Sequence, residues 1–70
     1  MTKPEILQFI VHNCDYTRTN GLNIWSDWWP FQPQNRKVLE EISNENPFTI
    51  EFSDNFHGMA KNNFRIKRKL

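Results

Sequence analysis

The sequence predicts one small α+β domain, spanning residues 1–70, in the order helix, connector, helix, β-hairpin. Three observations predict this class: apolar residues at helical spacing near the amino end, a second helical stripe in the middle, and two alternating apolar–polar stretches near the carboxyl end. Three tryptophans, one tyrosine and six phenylalanines supply the rings for a small core. Each such ring buries roughly 150–250 Å², so a handful can provide most of it.

The first helix is predicted over residues 3–14. Thr2 is a suitable cap, Pro4 fits the first turn, and the charge of Glu5 complements the helix dipole. The apolar positions that follow helical spacing are Ile6, Leu7, Ile10, Val11 and Cys14.

The connector between the helices is predicted to be irregular. Asn20-Gly21 is typical of a type I′ turn, which would join residues 16–19 to 22–25 as a very short hairpin. The alternative is a plain loop, in which Gly21 ends an extended first helix. Pro30 and Pro33 disfavour both regular helix and central strand, so residues 26–33 are expected to form an aromatic-rich connector packed on the core.

A second, short helix is predicted over residues 34–42, because Val38, Leu39 and Ile42 form an apolar stripe. The stretch from Asn44 to Pro47 is expected to end it, since the residue before proline avoids helical geometry.

In the last third of the chain, residues 48–52 and 64–67 alternate between apolar and polar. This pattern predicts a hairpin with apolar side chains on one face and polar side chains on the other. The expected cross-strand pairs are Phe52–Phe64, Ile50–Ile66, Glu51–Arg65 and Thr49–Lys67. A slip by one residue would place charge on the apolar face, so the register is well specified. The connection is either a three-residue loop, 57–59, or a longer wing-like loop at 54–63.

The element order of residues 34–70 resembles the end of a winged helix-turn-helix domain, with His57-Gly58 at the tip of the wing. The resemblance implies DNA binding through the second helix and the hairpin. Against it, that helix carries Glu40 and Glu41 beside its basic residues, and acidic groups repel phosphate. Binding of RNA or of a single strand, with the aromatic rings as stacking platforms, is a variant.

We expect no catalytic, metal or cofactor site. His12 and Cys14 are two residues apart on a helix and therefore point in different directions. With Asp15 and His57 they lack the spacing that tetrahedral zinc ligands need. The lone cysteine excludes an internal disulfide and is typical of a reducing compartment.

The expected location is the cytoplasm, without membrane association. The chain has no apolar run of about 20 residues, and its amino end lacks the features of a signal peptide. Asn, Lys, Ile and Phe together account for 26 of 70 residues, which is compatible with a phage or mobile-element gene.

Two groups of residues are predicted to bind partners. The first is an aromatic group, expected to capture another protein or form a homodimer, and comprises Trp25, Trp28, Trp29 and Phe31. The second is a basic group, expected to contact nucleic acid or an acidic partner, and comprises Lys61, Arg65, Lys67, Arg68 and Lys69. A core role for the tryptophans and an edge-guarding role for the lysines are the structural alternatives.

Charge distribution supports the second group. Residues 1–60 contain all eight acidic residues and four basic ones, whereas residues 61–70 contain five basic residues and no acid. The sequence thus favours a non-enzymatic protein-binding module, such as a small inhibitor, adaptor or regulatory protein. The alternative is a winged-helix-like DNA- or RNA-binding protein that uses the basic hairpin.

Overall fold

A computed structural model describes residues 1–70 and shows two helices and a five-stranded antiparallel sheet. The elements are α1 (Lys3–Asn13), β1 (Tyr16–Asn20), β2 (Asn23–Ser26), β3 (Trp29–Pro30), α2 (Arg36–Glu45), β4 (Thr49–Phe52) and β5 (Asn63–Lys69). Short 3₁₀ turns lie at Pro33–Asn35 and Ser53–Asn55. The α+β class is confirmed. The predicted order is wrong between the helices, where three strands replace the irregular connector.

The predicted start of α1 is confirmed by a complete capping box. The Thr2 hydroxyl accepts the N–H of Glu5, and the Glu5 carboxylate accepts the N–H of Thr2 at 2.9 Å. Both bonds satisfy amides that would otherwise lack a partner in the first turn. Neither helix of the structure is long and apolar enough to cross a membrane.

Gly21 makes the β1–β2 hairpin possible. Its φ is 62°, while Asn20 lies in β1 and pairs with Asn23. The two-residue loop is therefore Gly21-Leu22, with glycine first, which is the pattern of a type II′ turn. The short-hairpin alternative is confirmed and the type I′ turn is wrong, because only the glycine has a positive φ.

The central strand is β5. β4 pairs with one edge of β5. Along the other edge, β3 pairs with the first residues of β5 and β2 pairs with its last residues. The observed pairs Thr49–Lys67, Ile50–Ile66, Glu51–Arg65 and Phe52–Phe64 confirm the predicted register. The longer connection is the one observed, since β4 ends at Phe52 and β5 begins at Asn63.

The helix, strand, long connection and strand of residues 34–70 follow in the order on which the winged-helix resemblance rests. The sheet is larger than a two-stranded wing, because β2 and β3 pair with the second edge of β5 and β1 pairs with β2. Leu39 and Ile42 of α2 are buried in the core, together with Ile6 and Ile10 of α1. The remaining core residues are Ile50, Phe52, Phe64 and Ile66, so both helices cover the same face of the sheet.

Serine hydroxyls complete the sheet where its ladders break. Three strand N–H groups donate to serines: Ile50 to Ser43 at 3.0 Å, Asn63 to Ser53 at 3.0 Å and Ile66 to Ser26 at 2.9 Å. Ser26 is at the end of β2, where this strand stops and β3 has not yet begun. It is 1% exposed, as is Ile66, so water has no access to the amide that Ser26 satisfies.

We predict that Ser26→Ala lowers the free energy of unfolding by about 1–3 kcal/mol, because it leaves the buried Ile66 N–H without an acceptor. Urea denaturation measures the change. Thr17→Ala is the control, since its hydroxyl also makes a hydrogen bond, to Asp27, but in an exposed position. The control should change stability by about 0.5 kcal/mol or less. Equal losses in the two variants would contradict the role of Ser26.

Candidate functional site

One face of the sheet carries no helix, and we call it the open face. Side chains alternate along a strand, so residues next to the buried ones in β4 and β5 project from this side. Its members are Arg18, Trp25, Thr49, Glu51, Arg65, Lys67 and Lys69 from the strands, with Trp28 and Phe56 from the connections.

Arg65 is the centre of the open face. The Cζ atom of its guanidinium is 4.5 Å from the ring centroid of Trp28, 5.0 Å from that of Phe56 and 5.4 Å from that of Trp25. The rings of Trp28 and Phe56 also meet edge to face, with centroids 5.5 Å apart. Each cation–π contact contributes roughly 0.5–2 kcal/mol, depending on how far it is desolvated.

Glu51 balances the charge of Arg65 and fixes one of the rings. A single carboxylate oxygen, Oε1, accepts from Arg65 Nε at 2.8 Å and from the indole Nε1 of Trp25 at 3.1 Å. The side chains of Arg65 and Glu51 are only 15% and 22% exposed. Because Trp25 lies on β2 and Glu51 on β4, the indole reaches across β5. The cluster is therefore held from three strands.

The rest of the basic group has no acidic partner. The ion pairs of the structure join Lys3 to Glu41 and Glu45, Arg36 to Asp54, and Arg65 to Glu51. Consequently, pairing within the chain accounts for one of the five cations in residues 61–70. The unpaired cations on the open face are Arg18, Lys67 and Lys69.

The structure divides the predicted aromatic group between the two faces. Trp25 and Trp28 lie on the open face, whereas Trp29 and Phe31 lie on the side of the helices. Trp29 meets Phe9 edge to face at 5.3 Å, and its indole Nε1 is buried without a hydrogen-bond partner. Phe31 packs against Phe52, with centroids 5.5 Å apart.

The predicted basic group is divided as well. Arg65, Lys67 and Lys69 share the open face, as their alternation indicates. Arg68 lies on the opposite face, where its guanidinium is 5.9 Å from the ring centroid of Tyr16. Lys61 is exposed in the connection before β5.

Sequence reasoning missed four members of the open face: Arg18, Thr49, Glu51 and Phe56. Thr49 and Glu51 had a signal, since the predicted register already placed them opposite Lys67 and Arg65. Arg18 joins the face only because β1 pairs with β2, opposite Trp25. Phe56 follows a 3₁₀ turn in a long connection, where no periodicity indicates the direction of a side chain.

Comparison with protein-family models, curated proteins and solved structures finds no match.

A cavity of about 460 Å³ opens between α1, α2 and the segment after β3. Apolar side chains such as Phe9, Phe31 and Leu39 line most of it. Its polar side chains are those of Gln32 and Asn35, and none of its lining side chains is ionisable. Nowhere does the structure bring together three His, Cys, Asp or Glu side chains that could hold a metal ion.

Cys14, the one nucleophilic thiol, is partly buried against the core. Burial raises the pKa of the Cys14 thiol to about 11, and the neighbouring charge of Asp15 adds to the increase. Since the thiolate is the reactive form, this environment suppresses reactivity near neutral pH.

We predict that Glu51→Gln lowers the free energy of unfolding by about 1–2 kcal/mol, because it leaves the charge of Arg65 uncompensated in a largely buried position. Glutamine preserves the size of the side chain and an acceptor for the Trp25 indole. The loss of stability therefore measures the contribution of the carboxylate charge. The control is Glu45→Gln, whose ion pair with Lys3 is more exposed and should therefore contribute less to stability than the pair of Glu51 and Arg65. Urea denaturation compares the two, and an equal effect would be evidence against the cluster.

We predict that iodoacetamide alkylates Cys14 slowly in the folded protein. With a pKa of about 11, the thiol forms roughly a hundredfold less thiolate at neutral pH than an ordinary cysteine. Mass spectrometry follows the reaction, and the same chain in urea is the control. The rate should rise with pH throughout the range where the protein stays folded. A folded-state rate equal to that in urea would contradict the burial of the thiol.

Proposed function

We propose that this chain is a non-enzymatic binding module that captures an acidic segment of another protein on its open face. The observation that carries the proposal is the Arg65 cluster, in which Trp25, Trp28 and Phe56 surround a guanidinium that Glu51 holds in place.

The composition of the cluster supports a protein partner. Tryptophan and arginine are among the residues that contribute most to binding energy at protein interfaces, especially near the centre. Here they form the centre of a face that no helix covers. Their geometry is preorganised, since the indole of Trp25 and the guanidinium of Arg65 share one acceptor. Preorganised side chains lose less conformational entropy on binding, which favours affinity.

The charges around the cluster support an acidic partner. Lys67 and Lys69 on β5 and Arg18 on β1 lie on the same face without an acidic partner. Unpaired cations at the rim of an interface mainly accelerate association and select partners of opposite charge.

Single-stranded nucleic acid is the second candidate, because cations and rings also alternate on surfaces that bind it. One observation weighs against it. The rings already have cations of this chain over them, Arg65 over Trp25 and Trp28, and Lys67 at 5.9 Å from the Trp25 centroid. A stacking base would compete with these contacts, whereas a protein segment can bind ring edges and the guanidinium together.

The proposal predicts that peptides selected from a random display library on the wild-type protein are rich in acidic residues. For a selected peptide, Trp28→Ala should weaken binding by roughly tenfold or more, as loss of a central aromatic anchor does. Lys67→Gln should mainly slow association and reduce its dependence on salt. Tryptophan fluorescence and stopped-flow mixing measure both effects.

Two matched variants control these measurements. Val11→Ala removes an apolar side chain that is 69% exposed on α1, and Lys37→Gln removes an unpaired cation of α2. Both should leave binding unchanged. Oligo(dT) is the competing probe. If it binds more tightly than every selected peptide, with a steep salt dependence, nucleic acid is the partner and the proposal is wrong.

A further inference from the structure

The carboxyl end of β5 forms a basic notch at the margin of the open face. β4 begins at Thr49, opposite Lys67, so β5 continues for two residues without a neighbour on that side. The space left there is a shallow cavity of about 320 Å³, lined by Pro47, Thr49, Lys67, Arg68 and Lys69.

A backbone donor points into this notch. Successive N–H groups of a strand point to opposite sides, and the N–H of Leu70 donates to the carbonyl of Leu22 on the β2 side. The N–H of Lys69 therefore points to the side of β4. The residue opposite it there is Pro47, which lies outside β4, and the Lys69 N–H has no hydrogen-bond acceptor in the protein.

The side chains of the notch are also free to donate. The Thr49 hydroxyl makes no hydrogen bond, and the ammonium groups of Lys67 and Lys69 have no carboxylate partner. No acidic residue lines the cavity. Arg68 adds positive charge nearby, although its guanidinium is directed towards Tyr16. A hydroxyl, a backbone N–H and the side chains of Lys67 and Lys69 thus border one small space, with the Lys67 ammonium 5.9 Å from the ring centroid of Trp25.

We infer that this notch binds a phosphate monoester, carried by a phosphorylated serine or threonine of the acidic segment proposed above. A phosphate group carries about −1.5 to −2 charges at neutral pH and has three strong acceptor oxygens. It can therefore use several donors at once, whereas a carboxylate offers two oxygens and a single charge. Lysine is a common phosphate ligand that acts as a point charge.

The position of the notch fits such a segment. Thr49, Lys67 and Trp25 are neighbours on three adjacent strands, so the notch is continuous with the Arg65 cluster. A segment that crosses the rings would place its phosphorylated residue beside Thr49. The inference rests on the proposed function for the identity of the partner, but the notch itself is testable with small probes.

The probes are N-acetyl-phosphoserine amide and N-acetyl-glutamate amide, titrated at constant ionic strength while amide NMR signals are followed. We expect the phosphoserine compound to shift the Lys69 amide in a saturable way and to bind roughly tenfold more tightly than the glutamate compound. That factor is typical of an additional hydrogen bond to a charged group.

Three variants locate the site. Thr49→Val keeps the shape and strand preference of threonine but removes the hydroxyl, and Lys69→Gln removes an ammonium group. Each should weaken phosphoserine binding by about fivefold or more, as loss of one charge-assisted bond does. Lys61→Gln removes a cation of the same basic run outside the notch and should have no effect. The amide spectra also show whether each variant remains folded.

Other outcomes would overturn the inference. Equal shifts with glutamate or chloride, or a loss of phosphoserine binding in Lys61→Gln as large as in Lys69→Gln, would mean diffuse screening of charge and no phosphate site. Saturation of the notch by oligo(dT) at lower concentration than by phosphopeptides would assign it to nucleic acid. If Thr49→Val and Lys69→Gln leave phosphoserine binding unchanged while acidic peptides still bind the open face, the notch fails and the proposed function stands.

Discussion

The alternation of side chains along β5 is the constraint on which the rest of the structure depends. Phe64 and Ile66 are apolar and buried, and both helices pack against them on one face of the sheet. The same alternation sends Arg65, Lys67 and Lys69 to the other face, where no helix lies over them. Since β2, β3 and β4 all pair with this strand, one short segment places the core on one side and the basic residues on the other.

Buried hydroxyls allow such a small sheet to be irregular. The two strands β2 and β3 replace one continuous neighbour of β5, and the break between them would leave a buried amide unsatisfied. The Ser26 hydroxyl accepts the N–H of Ile66 in that break, and the Ser53 hydroxyl accepts the N–H of Asn63 at the start of β5. In a chain of 70 residues, whose core is small, each unsatisfied amide would be a large fraction of the total stability.

Charge is handled differently at the two ends of the open face. Around Arg65, aromatic rings and Glu51 replace water, so the guanidinium is rigid and its charge is balanced. Around Lys69, no acid and no ring compensates the charges, and a backbone donor is also free. A partner would thus find an apolar, ordered centre beside a hydrated basic margin, a division that is common in protein interfaces.

The sequence by itself determined α1, α2, the β4–β5 register and the alternating cations, because helical spacing, a cap and strict alternation are local patterns. Only the tertiary structure decided between the loop and the hairpin for residues 16–25 and made Trp29–Pro30 a strand. These three strands carry weak local signals, and β2 and β3 are stabilised by pairing with β5, while β1 is stabilised by pairing with β2. The tertiary structure also separated Trp29 and Phe31 from Trp25 and Trp28, and brought Arg18 and Phe56 to the open face. The physical reason is that pairing between distant segments, which local patterns do not encode, fixes the face to which each of these side chains points.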